Sequence, residues 1–235
     1  VPLFVFMGVL LEKSNLAQDL LSNMAEVIGG FRGSLAISVI FVGALIAAST
    51  GVVGATVIAM GLISLPIMLS RNYDPSLSAG TICATGTLGQ IIPPSIALVI
   101  LGDVLSAAYQ QSQLSIGNFS ARTVSVGDLF MGAFIPGLML AALYVIYILG
   151  FSFLKPSAAP LAEDRQKVGL KTLFKVLLDA VPILALMFLV LGSIIAGIAT
   201  VTEASGVGAL SAMVLAAFYG KLNFPMLKEA LQGTF

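Results

Sequence analysis

The sequence contains no histidine, no tryptophan, one cysteine and very few charged residues. Without histidine, the usual general base and the commonest metal ligand in proteins are missing. The single cysteine, Cys83, has no disulfide partner within the chain, and we expect it to be a small core residue because its surroundings are apolar. The eleven basic and eleven acidic side chains cancel, which removes any case for nucleic-acid binding.

The few carboxylates also argue against an enzyme. Asp103, Asp128, Asp179 and Glu203 all fall near the ends of apolar segments, and no two of them are spaced to share a helix face. No histidine or buried lysine is available to activate a serine or threonine as a nucleophile. We therefore predict no enzyme activity, no catalytic residue and no cofactor.

The apolar content defines the class of protein. Hydrophobic residues make up 58% of the chain and charged residues 9%, whereas soluble domains carry about 25% charged residues. The chain is therefore predicted to be an all-α polytopic membrane protein. Because it begins without methionine and ends inside an apparent amphipathic segment, we expect it to be a fragment.

The order of apolar and polar stretches predicts the boundaries of the segments. In chain order, they are the end of a transmembrane helix plus an amphipathic helix (1–32, with the amphipathic pattern at 14–28), a hairpin (33–70), a broken helix (76–102), a polar loop (103–128), a transmembrane helix (129–154), a basic linker (155–179), and two transmembrane helices with the start of a further segment (180–235).

The stretch 33–70 is free of charge and too long for one span. As a single helix it would measure about 57 Å, against a hydrocarbon core of about 30 Å. Its small residues at 47–56 permit a tight reversal, so the stretch forms either two short spans or a re-entrant hairpin whose tip lies inside the membrane. The glycines and hydroxyls at the tip, with no charge to mark an emerging loop, favour the re-entrant hairpin.

The basic residues favour the same arrangement. If 33–70 returns to the side that it left, ten of the eleven basic residues share one face and only Arg122 lies opposite. The positive-inside rule then makes the crowded face cytoplasmic, so that 155–179 is a cytoplasmic linker and 103–128 a periplasmic loop. An odd number of crossings by 33–70 would abolish this asymmetry.

A second interruption lies in the charge-free stretch 78–102. Its middle, Gly86-Thr87-Leu88-Gly89-Gln90-Ile91-Ile92-Pro93-Pro94-Ser95, combines glycines and prolines that disfavour a helix. Two half-helices joined by an unwound turn fit this pattern, and such turns bind ions and substrates in secondary transporters. The alternative is a packing kink at the proline pair.

Together, the hairpin tip and the unwound turn predict a site made of neutral oxygens and backbone N–H groups. Such oxygens suit a hard cation such as sodium, and free N–H groups at half-helix N-termini suit a carboxylate. The predicted sodium ligands are the hydroxyls of Ser49 and Thr87 and the carbonyls near Gly51, Gly89 and Ile92. The predicted substrate-binding residues are Thr50, Gly54, Gln90, Pro93, Pro94 and Ser95. No metal other than sodium is expected, and the alternative is that these small residues only allow close helix packing.

Four runs of the sequence carry a family resemblance: AASTGVVGATVIAMGLISLPIML, RNYDPSLSAGTICATGTLGQIIPPSIALVILGD, VGDLFMGAFIPGLMLAALY and ATVTEASGVGAL. With them the chain resembles the large membrane (DctM-like) subunit of the tripartite ATP-independent periplasmic (TRAP) transporters. IIPPS after a small-residue hairpin is the most specific element. Gln90 departs from the pattern, since many members have proline there.

The resemblance implies a multi-pass protein of the bacterial inner membrane. It implies an elevator-type secondary transporter, driven by sodium, that imports a small organic anion such as a 2-oxo or hydroxy acid. Its partners would be a small membrane subunit and a periplasmic substrate-binding protein. The stretch 33–102 would form half of the transport domain and the first half of an inverted repeat, with 14–28 as an arm helix. The alternative is a membrane scaffold or assembly subunit that transports nothing.

Overall fold

A computed structural model describes residues 2–14, 20, 21, 23, 24, 27, 28, 30–117, 124–161 and 170–234. These residues contain helices and no strand. In chain order the α-helices are α1 (Pro2–Lys13), α2 (Ser34–Thr50), α3 (Val53–Ser70), α4 (Pro75–Thr87), α5 (Ile96–Ser115), α6 (Val126–Leu154), α7 (Leu170–Ile195), α8 (Val201–Phe218) and α9 (Phe224–Thr234). A short 3₁₀ helix, Leu88–Gln90, follows α4.

Four segments of the described chain are long and apolar enough to cross a membrane. They are Val53–Ser70, Val126–Leu154, Phe174–Ile195 and Val201–Phe218. Pro2–Leu11 and Ser34–Thr50 are apolar but shorter. The prediction of an all-α polytopic membrane protein is confirmed.

The charge-free stretch folds back on itself between α2 and α3. The reversal lies at Gly51 and Val52, inside the small-residue segment 47–56. Gly51 has a φ of 63°, a left-handed conformation that side chains disfavour, and its N–H closes α2 by donating to the carbonyl of Ala47 at 3.0 Å. The two helices form a hairpin with arms of 17 and 18 residues; that its tip lies inside the membrane stays a prediction.

The hairpin packs with α4 into a three-helix bundle whose contacts depend on missing side chains. A Cβ built at Gly43 of α2 would lie 2.2 Å from Cγ2 of Thr85 in α4. A Cβ at Gly86 of α4 would lie 2.2 Å from Cγ2 of Val57 in α3. Contacts this short leave no room for a methyl group, so the glycines set the spacing of the bundle.

The remaining helices pack mainly against α2 or against one another. α1 packs against α2, α8 and α9, α7 packs against α8, and α6 contacts α2 and α5. Between α3 and α4, Tyr73 is buried beside Ser34, and this burial raises the pKa of its phenol. Thr200 and Glu203 form a capping box at the start of α8.

Two predicted linkers are wrong in part. The predicted loop 103–128 is helical to Ser115, because α5 continues through a polar run that contains neither glycine nor proline. The predicted linker 155–179 ends early, since α7 begins at Leu170. In both places polar and charged residues lie on a helix, so polarity alone did not mark a loop. Likewise, α6 begins at Val126, where Ser125 caps it, three residues before the predicted start at 129.

Two further predictions concern single segments. The predicted amphipathic arm helix at 14–28 falls largely outside the described residues. Within it, Leu20 and Leu21 are buried, and the Asn23 amide donates a hydrogen bond to the Asp179 carboxylate of α7. The prediction that Cys83 is a core residue is wrong, because its side chain is exposed on α4.

We predict that Gly86→Ala destabilises the bundle, because the new methyl group would overlap Val57. Overpacking of this kind costs about 1–3 kcal/mol. The free energy of unfolding of the purified full-length protein, measured by detergent-induced unfolding, should fall by that amount. The matched control is Gly61→Ala in α3, where a Cβ has nothing within 4 Å. Equal stability of the two variants would contradict the packing account.

Candidate functional site

The predicted unwound turn lies between α4 and α5. The α-helix ends at Thr87, tightens into the 3₁₀ helix Leu88–Gln90, and then loses helical structure until Ile96. Ser95 starts the next helix, because its hydroxyl accepts a hydrogen bond from the N–H of Leu98 at 3.3 Å. The interruption is therefore a break between two half-helices, as the sequence predicted, and the Pro93–Pro94 peptide bond within it is cis.

The backbone of this turn leaves a row of carbonyl oxygens without partners. The N–H groups of Ile91 and Ile92 both donate to the carbonyl of Leu88, at 3.0 and 2.7 Å, and the prolines have no N–H to offer. In the part of the chain that the structure describes, no group donates a hydrogen bond to the carbonyl oxygens of residues 91–94. Buried carbonyls are nearly always paired, so these oxygens are available to a ligand.

The hairpin tip lies directly against this turn. The Gln90 side-chain amide donates to the carbonyl of Gly51 at 2.9 Å, across 39 residues of sequence. A Cβ built at Gly51 would lie 3.0 Å from the carbonyl oxygen of Pro94, and one at Gly89 would lie 2.8 Å from that of Ala47. The two elements thus meet backbone to backbone, and only glycine fits at Gly89 without a shift.

The hydroxyl groups around the tip are partly committed to their own helices. Ser49 is buried and donates to the carbonyl of Ile46 at 2.7 Å. The hydroxyls of Thr50 and Thr56, both buried, lie 2.7 Å apart and link the two arms of the hairpin. Each oxygen that donates its proton still has lone pairs with which it can bind a cation.

Thr87 and Gly54 differ from the other predicted site residues. The Thr87 side chain is exposed, and its hydroxyl donates to the carbonyl of Ala84 within α4 at 2.7 Å. Gly54 is exposed at the start of α3, with nothing within 4 Å of a built Cβ. The structure brings Gly51 into contact with Gln90 and Pro94, and it packs Gly89 against Ala47. It places Ser49 and Thr50 in the adjoining last turn of α2 and leaves Thr87 and Gly54 at the edge. All eleven assignments stay predictions.

Two helix N-termini also lie here, in line with the expectation of free N–H groups at half-helix N-termini, although their residues were not named among the predicted site residues. No described group accepts a hydrogen bond from the N–H groups of Ile96 and Ala97 at the start of α5, or of Val53, Gly54 and Ala55 at the start of α3. The Ile96 nitrogen would lie 3.6 Å from a Cβ at Gly51, so both helix starts adjoin the tip. Serine directly before an apolar run was the signal for the first of them.

The site has no charged side chain within the hairpin or the turn. Its electrostatic character comes from backbone dipoles: uncommitted carbonyls favour a cation, and the N-termini of α3 and α5 each carry roughly half a positive charge. Both kinds of group occur within one contact region. The arrangement can therefore hold a cation and an anion side by side without an ionisable residue.

Comparison with known proteins places these features in a family. The chain matches, over residues 1–235, the model of the family described as "Tripartite ATP-independent periplasmic transporter, DctM component". It is 31% identical over 218 residues to the C4-dicarboxylate TRAP transporter large permease protein DctM of Vibrio cholerae, which covers 93% of this chain and 43% of that protein.

Two other relatives are named for different compounds. The chain is 31% identical to the isethionate TRAP transporter permease protein DctMQ of Oleidesulfovibrio alaskensis, over 93% of this chain and 31% of that protein. It is 25% identical to the 2,3-diketo-L-gulonate TRAP transporter large permease protein YiaN of Escherichia coli, over 99% of this chain and 50% of that protein. The chain thus spans half or less of the length of these three relatives.

We predict that Gln90→Leu weakens the contact between the tip and the turn. The variant keeps a side chain of similar size but leaves the buried Gly51 carbonyl without its donor, which costs about 1–3 kcal/mol. Detergent-induced unfolding of the full-length protein measures this loss. Gln111→Leu, at an exposed position of α5, is the matched control, and a Gln90 variant as stable as that control would refute the contribution of the hydrogen bond.

Proposed function

Because the chain belongs to the DctM component family of the tripartite ATP-independent periplasmic transporters, we propose that it forms the first half of a permease site that couples sodium entry to the import of a small organic anion. The family consists of transporter components, in agreement with the prediction that the chain is not an enzyme. The chain belongs to a multi-pass protein of the bacterial inner membrane.

One observation carries this proposal: the hairpin tip is joined to an unwound turn whose carbonyls lack hydrogen-bond donors. In a membrane, each unsatisfied backbone group costs several kcal/mol. The residues Ile92, Pro93 and Pro94 are nonetheless buried. A bound cation would satisfy these carbonyls and offset that cost.

For the cation, we propose a shell of neutral oxygens. The Ser49 hydroxyl and the carbonyls of Gly51, Gly89 and Ile92 supply its core, and the Thr87 hydroxyl joins from the edge. To join the shell, the Thr87 hydroxyl must release its hydrogen bond to the Ala84 carbonyl. Sodium is preferred over a divalent ion because no carboxylate is present to balance a second charge.

For the anion, we propose the N-terminal amides of α3 and α5, beside the predicted residues Thr50, Gly54, Gln90, Pro93, Pro94 and Ser95. Helix N-termini bind carboxylates and similar groups through free N–H groups and the helix dipole. The names of three relatives specify C4-dicarboxylates, isethionate and 2,3-diketo-L-gulonate, each of which carries an acidic group. A small organic acid is therefore the proposed substrate class.

The wider machinery is proposed on the same basis. The glycine-spaced bundle of α2, α3 and α4 is suited to move as one body, as an elevator mechanism requires. The part of the relatives that this chain does not cover would supply a second hairpin and a second broken helix. A small membrane subunit and a periplasmic substrate-binding protein would complete a tripartite system.

We predict that Ser49→Ala and Thr87→Val raise the sodium concentration that gives half-maximal uptake. Each variant removes one oxygen from the proposed shell; a ligand worth about 1.4 kcal/mol shifts the value about tenfold. Uptake of a labelled organic acid is measured in proteoliposomes that hold the full-length permease with its small subunit and binding protein.

The matched control is Ser70→Ala. Ser70 also donates to a carbonyl three residues earlier, at 2.9 Å, but it is exposed at the far end of α3. Its half-saturating sodium concentration should not change. Uptake that is unaltered in the Ser49 and Thr87 variants would remove both hydroxyls from the site, and uptake that never depends on this chain would favour the scaffold alternative.

A further inference from the structure

A cavity lies between α4 and α6. It has a volume of about 230 Å³ and is lined by α4 from Asp74 to Ala84, by the last third of α6 and by one residue of α2. Its lining extends along α4 as far as Ala84, whereas Asp74 lies at the opposite end of that helix, about 20 Å from Thr87 along the helix axis. The acidic end of the cavity, at Asp74, is therefore remote from the proposed transport site.

One wall of this cavity is aromatic. Tyr144, Tyr147 and Phe151 line it from successive turns of α6, and the rings of Tyr147 and Phe151 stack with centroids 5.8 Å apart. Neither tyrosine hydroxyl forms a hydrogen bond with a described residue. Aromatic ring faces attract cations, and phenol oxygens accept hydrogen bonds from them.

The opposite wall carries one carboxylate. Asp74 caps α4, with Oδ1 accepting from the N–H groups of Ser76 and Leu77 at 2.8 and 3.1 Å. Its second oxygen, Oδ2, accepts no hydrogen bond and joins no ion pair with any residue that the structure describes. The Ser76 hydroxyl, also at the wall, is likewise uncommitted within that part of the chain. These oxygens suit an ammonium group.

A positive charge stands at the edge of the same cavity. The Lys155 ammonium lies 5.6 Å from the centroid of the Phe151 ring. A ligand with an ammonium group alone would meet repulsion on this side, whereas a ligand with both an ammonium and a phosphate would find a partner for each. The volume fits such a group, since about 30 Å³ per water corresponds to room for about eight water-sized atoms.

The position along α6 points to the membrane surface. This helix has 29 residues and is about 44 Å long, which exceeds the hydrocarbon core of about 30 Å, so its last turns extend into the headgroup region. Aromatic rings near the end of a span are typical of that region. Beside the cavity, Leu143 and Ile146 are 56% and 62% exposed and offer an apolar surface for acyl chains.

We propose that this cavity binds the headgroup of a zwitterionic phospholipid that carries a primary ammonium, such as phosphatidylethanolamine. Asp74 and the tyrosines hold the ammonium group, and Lys155 pairs with the phosphate. A primary ammonium fits better than a quaternary one because the Asp74, Ser76 and tyrosine oxygens can accept its N–H groups. An anionic headgroup without an amine would leave Asp74 unpaired next to it.

Two variants test the site without removing the same contact. Asp74→Asn removes the charge but keeps the helix cap, since asparagine caps as well as aspartate. Gly80→Leu fills the cavity, because Gly80 lines it and a Cβ there has nothing within 4 Å. The matched controls are Asp103→Asn on α5 and Gly132→Leu on α6, the latter with equally open space and away from the cavity.

The experiment is native mass spectrometry of the full-length permease, extracted from membranes that contain phosphatidylethanolamine and phosphatidylglycerol. Wild type and both controls should retain phosphatidylethanolamine, and both test variants should retain it about tenfold less, a loss that corresponds to about 1.4 kcal/mol. Should Gly80→Leu fail to fold, Asp74→Asn decides alone.

Three results would overturn the proposal. Equal retention of both lipids by the wild type would mean that the headgroup is not recognised. Undiminished retention of phosphatidylethanolamine by Asp74→Asn would place the lipid elsewhere. Capture of added phosphoethanolamine without any lipid adduct would assign the cavity to a free amine instead of a lipid.

Discussion

The structure depends on one constraint, which is that a broken helix in a membrane must satisfy its backbone without water. Between Thr87 and Ile96 the chain gives up helical hydrogen bonds, and two prolines remove donors that would otherwise need partners. The hairpin tip covers this turn through the amide of Gln90 and the backbone of Gly51. The carbonyl oxygens of residues 91–94 remain unpaired. Unpaired carbonyls in apolar surroundings cost free energy, and this cost is the physical reason to expect a cation there.

Close packing turns that local contact into a property of the whole bundle. Gly43 and Gly86 let α2, α3 and α4 approach until methyl groups of Thr85 and Val57 occupy the missing side-chain positions. The tip can then leave the turn only if the helices move with it. Binding of an ion between tip and turn would therefore pre-form the neighbouring anion site, and the two affinities would be reciprocally coupled, typically by 1–3 kcal/mol.

Much of this could be predicted from residue types alone. Glycine and hydroxyl residues in a charge-free stretch indicated the reversal near Gly51, because glycine readily adopts a left-handed conformation. Pro93-Pro94 indicated the break, because proline lacks an N–H donor and clashes with the preceding helical turn. The polar run after Asp103 was predicted to be a loop, but it lies on α5. Polar residues are common on exposed helices as well as in loops, and whether a helix is exposed depends on its packing against neighbouring elements. The amides of α3 and α5 came together through tertiary packing, and so did the bond from Gln90 to Gly51. No local pattern encodes either contact.

Hydrogen–deuterium exchange of the full-length permease in sodium and in potassium buffers tests the central claim most directly. If tip and turn share one cation, sodium should slow amide exchange in both segments together, at 51–56 and at 95–98, because the ion ties the two elements to each other. The segment 103–115 serves as an internal reference whose exchange should be the same in both buffers. Sodium-dependent protection of only one segment, or of neither, would contradict the account.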